Sequence, residues 1–144
     1  MILRSTEKAI QEILQASIDA AIGFDGIVPV LLSDSDDIKV PMPYVIIKCI
    51  SSEETITPNC GIFKVDGSIE FRSHTKETSP EMRQVVLNAI NDFSYDSASS
   101  KLSEIDNFHC HGWYPQTNEL SLDNETKSMR YTLNYSIYCM AMDN

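Results

Sequence analysis

Residues 61–93 read GIFKVDGSIEFRSHTKETSPEMRQVVLNAINDF and predict a long strand, a short turn and an amphipathic helix. In residues 63–72 apolar side chains or glycine fall on odd positions and polar side chains on even positions, as in a strand with one covered face. Ser79 is suited to cap a helix that begins at Pro80. The apolar residues that follow have the i, i+3, i+4 spacing of one buried stripe: Met82, Val85, Val86, Ala89, Ile90 and Phe93.

This strand and helix predict the centre of the core. Together with the last strand, in which apolar and polar residues also alternate, they should contribute side chains that are largely buried. We expect these to include Ile69, Phe71, Val86, Ile90, Leu133 and Tyr135.

The N-terminal part predicts a helix and two strands. An amphipathic helix should span Thr6–Ile22, capped by Ser5 or Thr6, with Gly23 just past its end. Ile27–Leu32 contains Pro29 and therefore suits an edge strand. Tyr44–Ile50 is apolar apart from Lys48 and rich in β-branched residues, which is typical of a central strand.

Three polar stretches predict connections. Ser51–Cys60 should be a polar loop, and Ser94–Ser103 an exposed one without apolar periodicity. Asn107–Tyr114 predicts a strand that Pro115 ends. Gln116–Lys127 should then be a long polar loop, of a length that usually carries a function or is disordered.

The order of elements favours an α+β fold. Because several strands alternate, we expect a single, mostly antiparallel or mixed β-sheet with two main α-helices packed on one face. The sequence contains neither an internal repeat nor a boundary, so residues 1–144 are expected to form one domain.

Composition argues against several partners. The formal net charge of −10 would repel nucleic acid, whose binding needs lysine and arginine. No apolar run is long enough to cross a bilayer, and the first residues lack the apolar region of a secretory signal. Four separated cysteines without a C-x-x-C pair do not indicate a disulfide framework.

His109 and His111 are the one pair that suggests a metal ligand set. Alternate residues of a strand share a face, so two imidazoles could hold one ion, with His74 or a carboxylate as the third ligand. Two solvent-facing or interface histidines are the simpler explanation of the pair, and we expect no metal and no cofactor. The nucleophile, phosphate-loop and dinucleotide motifs are all missing, so we expect no catalytic residues.

The overall pattern resembles the tail terminator and head–tail joining proteins of long-tailed bacteriophages, which include the lambda-type minor tail protein U. The parts that carry the likeness are the helix Thr6–Ile22, the Pro-Tyr-opened strand Pro43–Ile47, and the strand–helix pair Lys64–Phe71 and Pro80–Phe93. The closing strand Tyr131–Ile137 adds to it. The likeness covers most of the chain and rests on pattern, without a diagnostic motif.

The resemblance implies a structural virion protein at the tail–neck junction. Such a protein forms a ring, usually a hexamer, that terminates the tail tube and joins it to the head. Its partners would be further copies of itself, the tail tube protein and a neck or head-completion protein. DNA would pass through the ring without being held. The alternatives are a non-viral protein-binding module without catalysis and a small enzyme.

The two long polar stretches are the natural contacts with adjoining proteins, because loops on a rigid scaffold often carry binding. Trp113, near a strand end, could anchor an interface or fill the core. The predicted interface residues are Glu53, Glu54, Thr55, Trp113, Asn118, Glu119, Leu120, Asp123, Asn124 and Glu125.

Overall fold

The computed structural model describes residues 2–24, 26–32, 41–54, 61–76, 78–94, 98–106 and 108–141. The elements, in chain order, are α1 (Ile2–Ile22), β1 (Val30–Leu32), β2 (Tyr44–Glu54), β3 (Phe63–His74), α2 (Pro80–Asp92), α3 (Ala98–Leu102), β4 (Phe108–Asp123) and β5 (Ser128–Ala141).

The strands form one mixed sheet in the order β1-β2-β3-β5-β4. β1 runs parallel to β2, and the other neighbouring strands are antiparallel. Side chains of α1 and α2 share one core cluster with the inward-facing side chains of the sheet. The predicted α+β class with a mixed sheet is therefore confirmed.

The predicted centre of the core is also confirmed. All six residues expected to be buried are fully or almost fully so. The α2 helix begins at Pro80, and Ser79 Oγ accepts a hydrogen bond from the Met82 N–H at 3.1 Å. This cap satisfies one of the N–H groups that a helix start leaves without an intrahelical partner.

The first helix begins earlier than predicted. It starts at Ile2, so Ser5 and Thr6 lie inside it and do not cap it. Thr6 is fully buried, and its hydroxyl lies 3.5 Å from Cys139 Sγ. Its spacing from Ile10 and Leu14 places it on the core-facing stripe, which explains why a good capping residue stands within the helix. Gly23 ends the helix as predicted, with φ +89° and its N–H bonded to the Asp19 carbonyl.

Two predicted loops contain regular structure. Ser51–Glu54 continues β2 past an irregularity between Cys49 and Ser51, because β3 is long enough to pair with it; residues 55–60 lie outside the described part. Within Ser94–Ser103, α3 buries Ala98 and Leu102. Five residues are too few to show a helical period in the sequence.

An unusual contact crosses the middle of the sheet. Gly67 of β3 is paired with Cys49 of β2 on one side and with Tyr135 of β5 on the other. The Tyr135 ring lies over this glycine, and its hydroxyl reaches β2, 3.4 Å from both the Lys48 carbonyl and Cys49 Sγ. The lack of a side chain at Gly67 thus allows one tyrosine to connect three strands.

Candidate interaction surface

The long polar stretch after Trp113 is mostly strand, which corrects the predicted loop at Gln116–Lys127. β4 continues to Asp123, where it pairs with Ser128, and only residues 124–127 form the turn. Pro115 does not end the strand. It lies next to a register irregularity, and β4 is an edge strand, where a missing N–H is tolerated.

The predicted interface residues are therefore divided between a strand and a turn. Asn118, Glu119, Leu120 and Asp123 lie along β4, while Asn124 and Glu125 lie at its tip. The short alternation in Glu119–Asp123 was the one sign of a strand here, because both faces of this part are exposed and no longer apolar alternation is required. All these side chains remain accessible, as the interface hypothesis needs.

The turn has a defined structure. Asp123 Oδ1 accepts hydrogen bonds from the Glu125 N–H at 2.9 Å and the Thr126 N–H at 3.3 Å. These backbone bonds favour the charged carboxylate and lower the pKa of Asp123. Lys127 adopts a left-handed conformation, with φ +53°.

The turn is also joined to the rest of the sheet. The Thr75 N–H and Oγ1 both donate to the Lys127 carbonyl, at 2.9 and 3.1 Å, just after the end of β3. The tip is therefore held in place by the β3–α2 connection. A fixed tip loses less conformational freedom when it binds a partner than a free loop would.

Exposed apolar side chains lie on the outer half of β4, residues 116–123. Leu120 and Leu122 are 56% and 66% exposed. Their cross-strand partners are Tyr131 and Met129, both buried, so the two leucines lie on the helix side of the sheet, one strand beyond its covered part. Sequence reasoning missed Leu122; the alternation in Glu119–Asp123 was the available signal.

On the opposite face of the sheet, charged side chains line a groove beside the hairpin tip. Arg72 pairs with Glu70 at 2.8 Å, and Arg130 approaches the same carboxylate at 3.7 Å. Arg72 also donates to the Tyr44 hydroxyl at 3.3 Å. The groove has a volume of about 900 Å³ and extends to Pro41. Its guanidinium groups are engaged with a carboxylate, so it is not a free anion site.

A second groove of about 620 Å³ lies further along this face. Tyr114 is exposed there and meets Tyr138 edge-on, with ring centroids 5.8 Å apart. Beside them Ser136 donates to Asp66 at 2.5 Å and accepts from Gln116 at 2.6 Å. Because this serine is buried and its hydroxyl is hydrogen-bonded to both neighbours, the hydroxyl stabilises the fold.

Trp113 belongs to the core, which decides between the two roles that the sequence left open. It is 8% exposed, stacks on Tyr135 with ring centroids 4.5 Å apart, and meets Phe93 edge-on. Its position opposite the buried Ile137 explains why it points inward. It is not available to anchor an interface.

The other predicted segment lies at the far end of β2. Glu53 is exposed and pairs with Lys64 across to β3, and Glu54 pairs with Phe63. Thr55 lies outside the described residues. Glu53 and Glu54 pair with the start of β3, whereas the hairpin tip lies beside its end at His74. The two predicted groups of interface residues are therefore not brought together.

The two histidines of β4 are exposed, with ring centroids 6.4 Å apart. Among the described residues, no group of three or more His, Cys, Asp or Glu side chains is placed to hold a metal ion. His74, considered as a third ligand, lies at the opposite end of β5 from His109.

The described thiols are poor nucleophiles. Burial raises the pKa of Cys49 to about 12 and that of Cys139 to about 11. Burial also raises the pKa of the Cys110 thiol. The reactive thiolate form is therefore scarce at neutral pH.

Among the described helices, none combines the length and apolar character that crossing a membrane requires.

Comparison with known proteins gives a match among solved structures. The sequence matches no protein-family model and none of the curated proteins. Its fold is similar to that of a chain from a structure described as the virion of a native gene transfer agent particle. The TM-score is 0.56 and the sequence identity 11%, and the match covers 89% of this chain and 95% of the other. At this identity the likeness shows a shared fold.

Proposed function

We propose that this protein is a structural component of a virion. The observation that carries the proposal is the fold match, which spans almost the whole of a chain belonging to a virion. The resemblance of the sequence pattern to phage tail terminators agrees with it. The role is non-enzymatic, and the most prominent exposed feature is a rigid hairpin suited to protein contacts.

More specifically, we propose a ring at the tail–neck junction that terminates the tail tube and joins it to the head. The ring would be a homohexamer, in contact with the tail tube protein and with a neck or head-completion protein. Ring closure needs a heterologous contact, in which one patch meets a different patch of the next subunit. The net charge of −10 supports a lumen through which DNA passes without being held.

The hairpin tip is the proposed contact with an adjoining protein. Asn124 and Glu125 are exposed at its end, while Asp123 and Thr75 hold the turn in shape. Loops that are fixed on a sheet present side chains to a partner in one arrangement. A substitution at the tip should therefore affect joining without affecting folding.

The first test is whether the chain is present in purified particles and where it lies. Mass spectrometry of the particles and cryo-electron microscopy of their necks should find it as a closed ring between tail and head. The isolated protein, mixed with tail tubes, should cap their ends. Gel filtration alone is not decisive, because a subunit that is monomeric in solution can still form a ring on the tube.

The second test compares two exposed carboxylates. Glu125→Lys at the tip should reduce the number of joined particles. Glu104→Lys makes the same charge change at an exposed position after α3 and should leave joining unchanged. Absence of the chain from the particles would overturn the virion role, and normal joining with Glu125→Lys would overturn the contact at the tip.

A further inference from the structure

The two edge strands of the sheet differ in whether their outward-facing backbone N–H and C=O groups can pair with an added strand. At β1, the Val30 N–H donates to Gln15 Oε1 at 2.7 Å, and the Val30 carbonyl accepts from Gln11 Nε2 at 2.8 Å. Gln15 Nε2 also donates to the Val28 carbonyl at 3.1 Å. In a parallel pair, alternate residues turn their polar groups away from the neighbouring strand. Two glutamines of α1 thus occupy the outward-facing N–H and C=O of Val30, so another strand could pair there only by displacing them.

The β4 edge is open over its outer half. From Gln116 to Asp123 the side chains are exposed, apart from the half-buried Ser121. Within the described residues, no side chain bonds to the outward-facing backbone of this part. Unpaired N–H and C=O groups in a row form a template for an added strand.

The side chains of this half give the edge a definite chemistry. Leu120 and Leu122 project on the helix side of the sheet. Glu119 and Asp123 project on the other side. β4 contains neither lysine nor arginine. Lys127 lies beyond its end in the turn, and Arg130 of β5 is directed at Glu70.

We propose that the outer half of β4 accepts an extended strand of a partner protein in which apolar and basic residues alternate. Directly opposed residues of neighbouring strands share a face. The apolar residues of the partner would cover Leu120 and Leu122, and its lysines or arginines would lie against Glu119. The inference rests on the proposed function only for the source of this strand, which would be an adjoining virion protein.

A second copy of this chain fits the edge less well. Its β1 edge is blocked at Val30 by Gln11 and Gln15, so among the strands that the structure describes its own β4 is the edge it would offer. That pairing would bring two acidic edges together, on chains that each carry a net charge of −10. Like charges placed across a strand pair are destabilising.

The experiment uses two synthetic peptides of equal length, one alternating valine with lysine and the other valine with glutamate. Amide hydrogen exchange and NMR shifts of the full chain report where each peptide binds. The lysine peptide should protect amides of residues 116–123, and the glutamate peptide should bind at least about tenfold more weakly.

Matched variants separate strand addition from general attraction. Glu119→Lys should weaken the binding of the lysine peptide by about fivefold or more and strengthen the binding of the glutamate peptide. Glu12→Lys makes the same charge change on the exposed face of α1 and should alter the affinity of neither peptide. Leu120→Thr with Leu122→Thr should weaken binding about tenfold. Phe24→Thr, which changes an exposed apolar residue elsewhere, should not weaken it.

Three results would overturn the inference. Equal effects of Glu119→Lys and Glu12→Lys would mean that the peptide responds only to net charge. Protection outside residues 116–123 would place it at another site. A concentration-dependent dimer that Leu120→Thr abolishes would make a second copy the occupant. Because the binding assay needs no particles, its result is separate from whether the chain is found in virions.

Discussion

Replacing Gly67 with alanine should destabilise the fold more than any other single-methyl addition to the sheet. A Cβ at this position would lie well inside 3.0 Å of the Lys48 carbonyl oxygen, and 2.5 Å from the Tyr135 hydroxyl oxygen. The first of these atoms belongs to the backbone, and the second to a fully buried side chain. Neither can move aside without disturbing β2 or the core.

The cost follows from three contributions. Overpacking a filled core costs about 1–3 kcal/mol. Displacing the Tyr135 hydroxyl from its partners at Lys48 and Cys49 adds about 1 kcal/mol. The smaller entropy of the unfolded alanine chain offsets about 0.4–1 kcal/mol. We therefore expect Gly67→Ala to lower the free energy of unfolding by about 2 kcal/mol, within a range of about 1–4 kcal/mol.

Urea denaturation is a suitable assay, because Trp113 stacks on Tyr135 and its fluorescence should follow the loss of this packing. With a dependence of about 2 kcal/mol per molar urea, the middle of the usual range, the urea midpoint should fall by about 1 M. Gly112→Ala is the matched control. Its added Cβ would lie 2.9 Å from the ring of Tyr114, which is exposed and can turn into solvent. This variant should lose less than about 1 kcal/mol.

A double-mutant cycle adds a second check. Tyr135→Phe removes the hydroxyl and should cost about 1 kcal/mol by itself. Gly67→Ala should cost less in that background, although the contact with the Lys48 carbonyl remains. If Gly67→Ala lowered the free energy of unfolding no more than Gly112→Ala does, the position of Tyr135 across β3 would not depend on the missing side chain at Gly67.

Three further predictions concern the helix stripe, the histidines and the hairpin turn. Ile90→Ala should lower the free energy of unfolding by about 2–5 kcal/mol, because Ile90 is fully buried; an unchanged urea midpoint would contradict its place in the core. His109 and His111 should retain no stoichiometric zinc through dialysis against a moderate chelator; retention that His109→Ala removes would show a site. The pKa of Asp123 is lowered from its ordinary value of 3.8, so its stabilisation of the turn should be present above that pH and disappear as the pH falls through the lower, folded value. Asp123→Ala should therefore be less stable than the parent at neutral pH and equal to it in strong acid, as measured by urea midpoints across pH; a constant difference would exclude the carboxylate as the cause.

Elements with a buried face were predictable from the sequence. The alternation in Phe63–His74 and the stripe from Val86 to Ile90 exist because one side of each element meets the core. Ser79 and Pro80 fix the start of α2 through local chemistry that needs no tertiary information. For these reasons the strand, the helix and their burial could all be read directly.

The candidate surface was less predictable, because its residues are exposed on both sides. Residues 116–123 adopt a strand through backbone pairing with β5, and such pairing does not require a pattern in side chains that face solvent, so the alternation in Glu119–Asp123 is short. Trp113 shows the opposite difficulty. An aromatic residue near the predicted end of a strand suits an interface as well as a core, and only its position opposite Ile137 decides.

The glutamine contacts at β1 also bear on solubility. A chain with two open sheet edges can add further copies at both ends, and such growth leads to fibres. Here Gln11 and Gln15 block the β1 edge at Val30, so within the described part of the chain β4 is the open edge, and growth by strand pairing stops once one partner has been added. Strand pairing through this sheet therefore produces at most a pair of chains and not a fibre. Replacing both glutamines with alanine should remove this protection and expose a second site of growth.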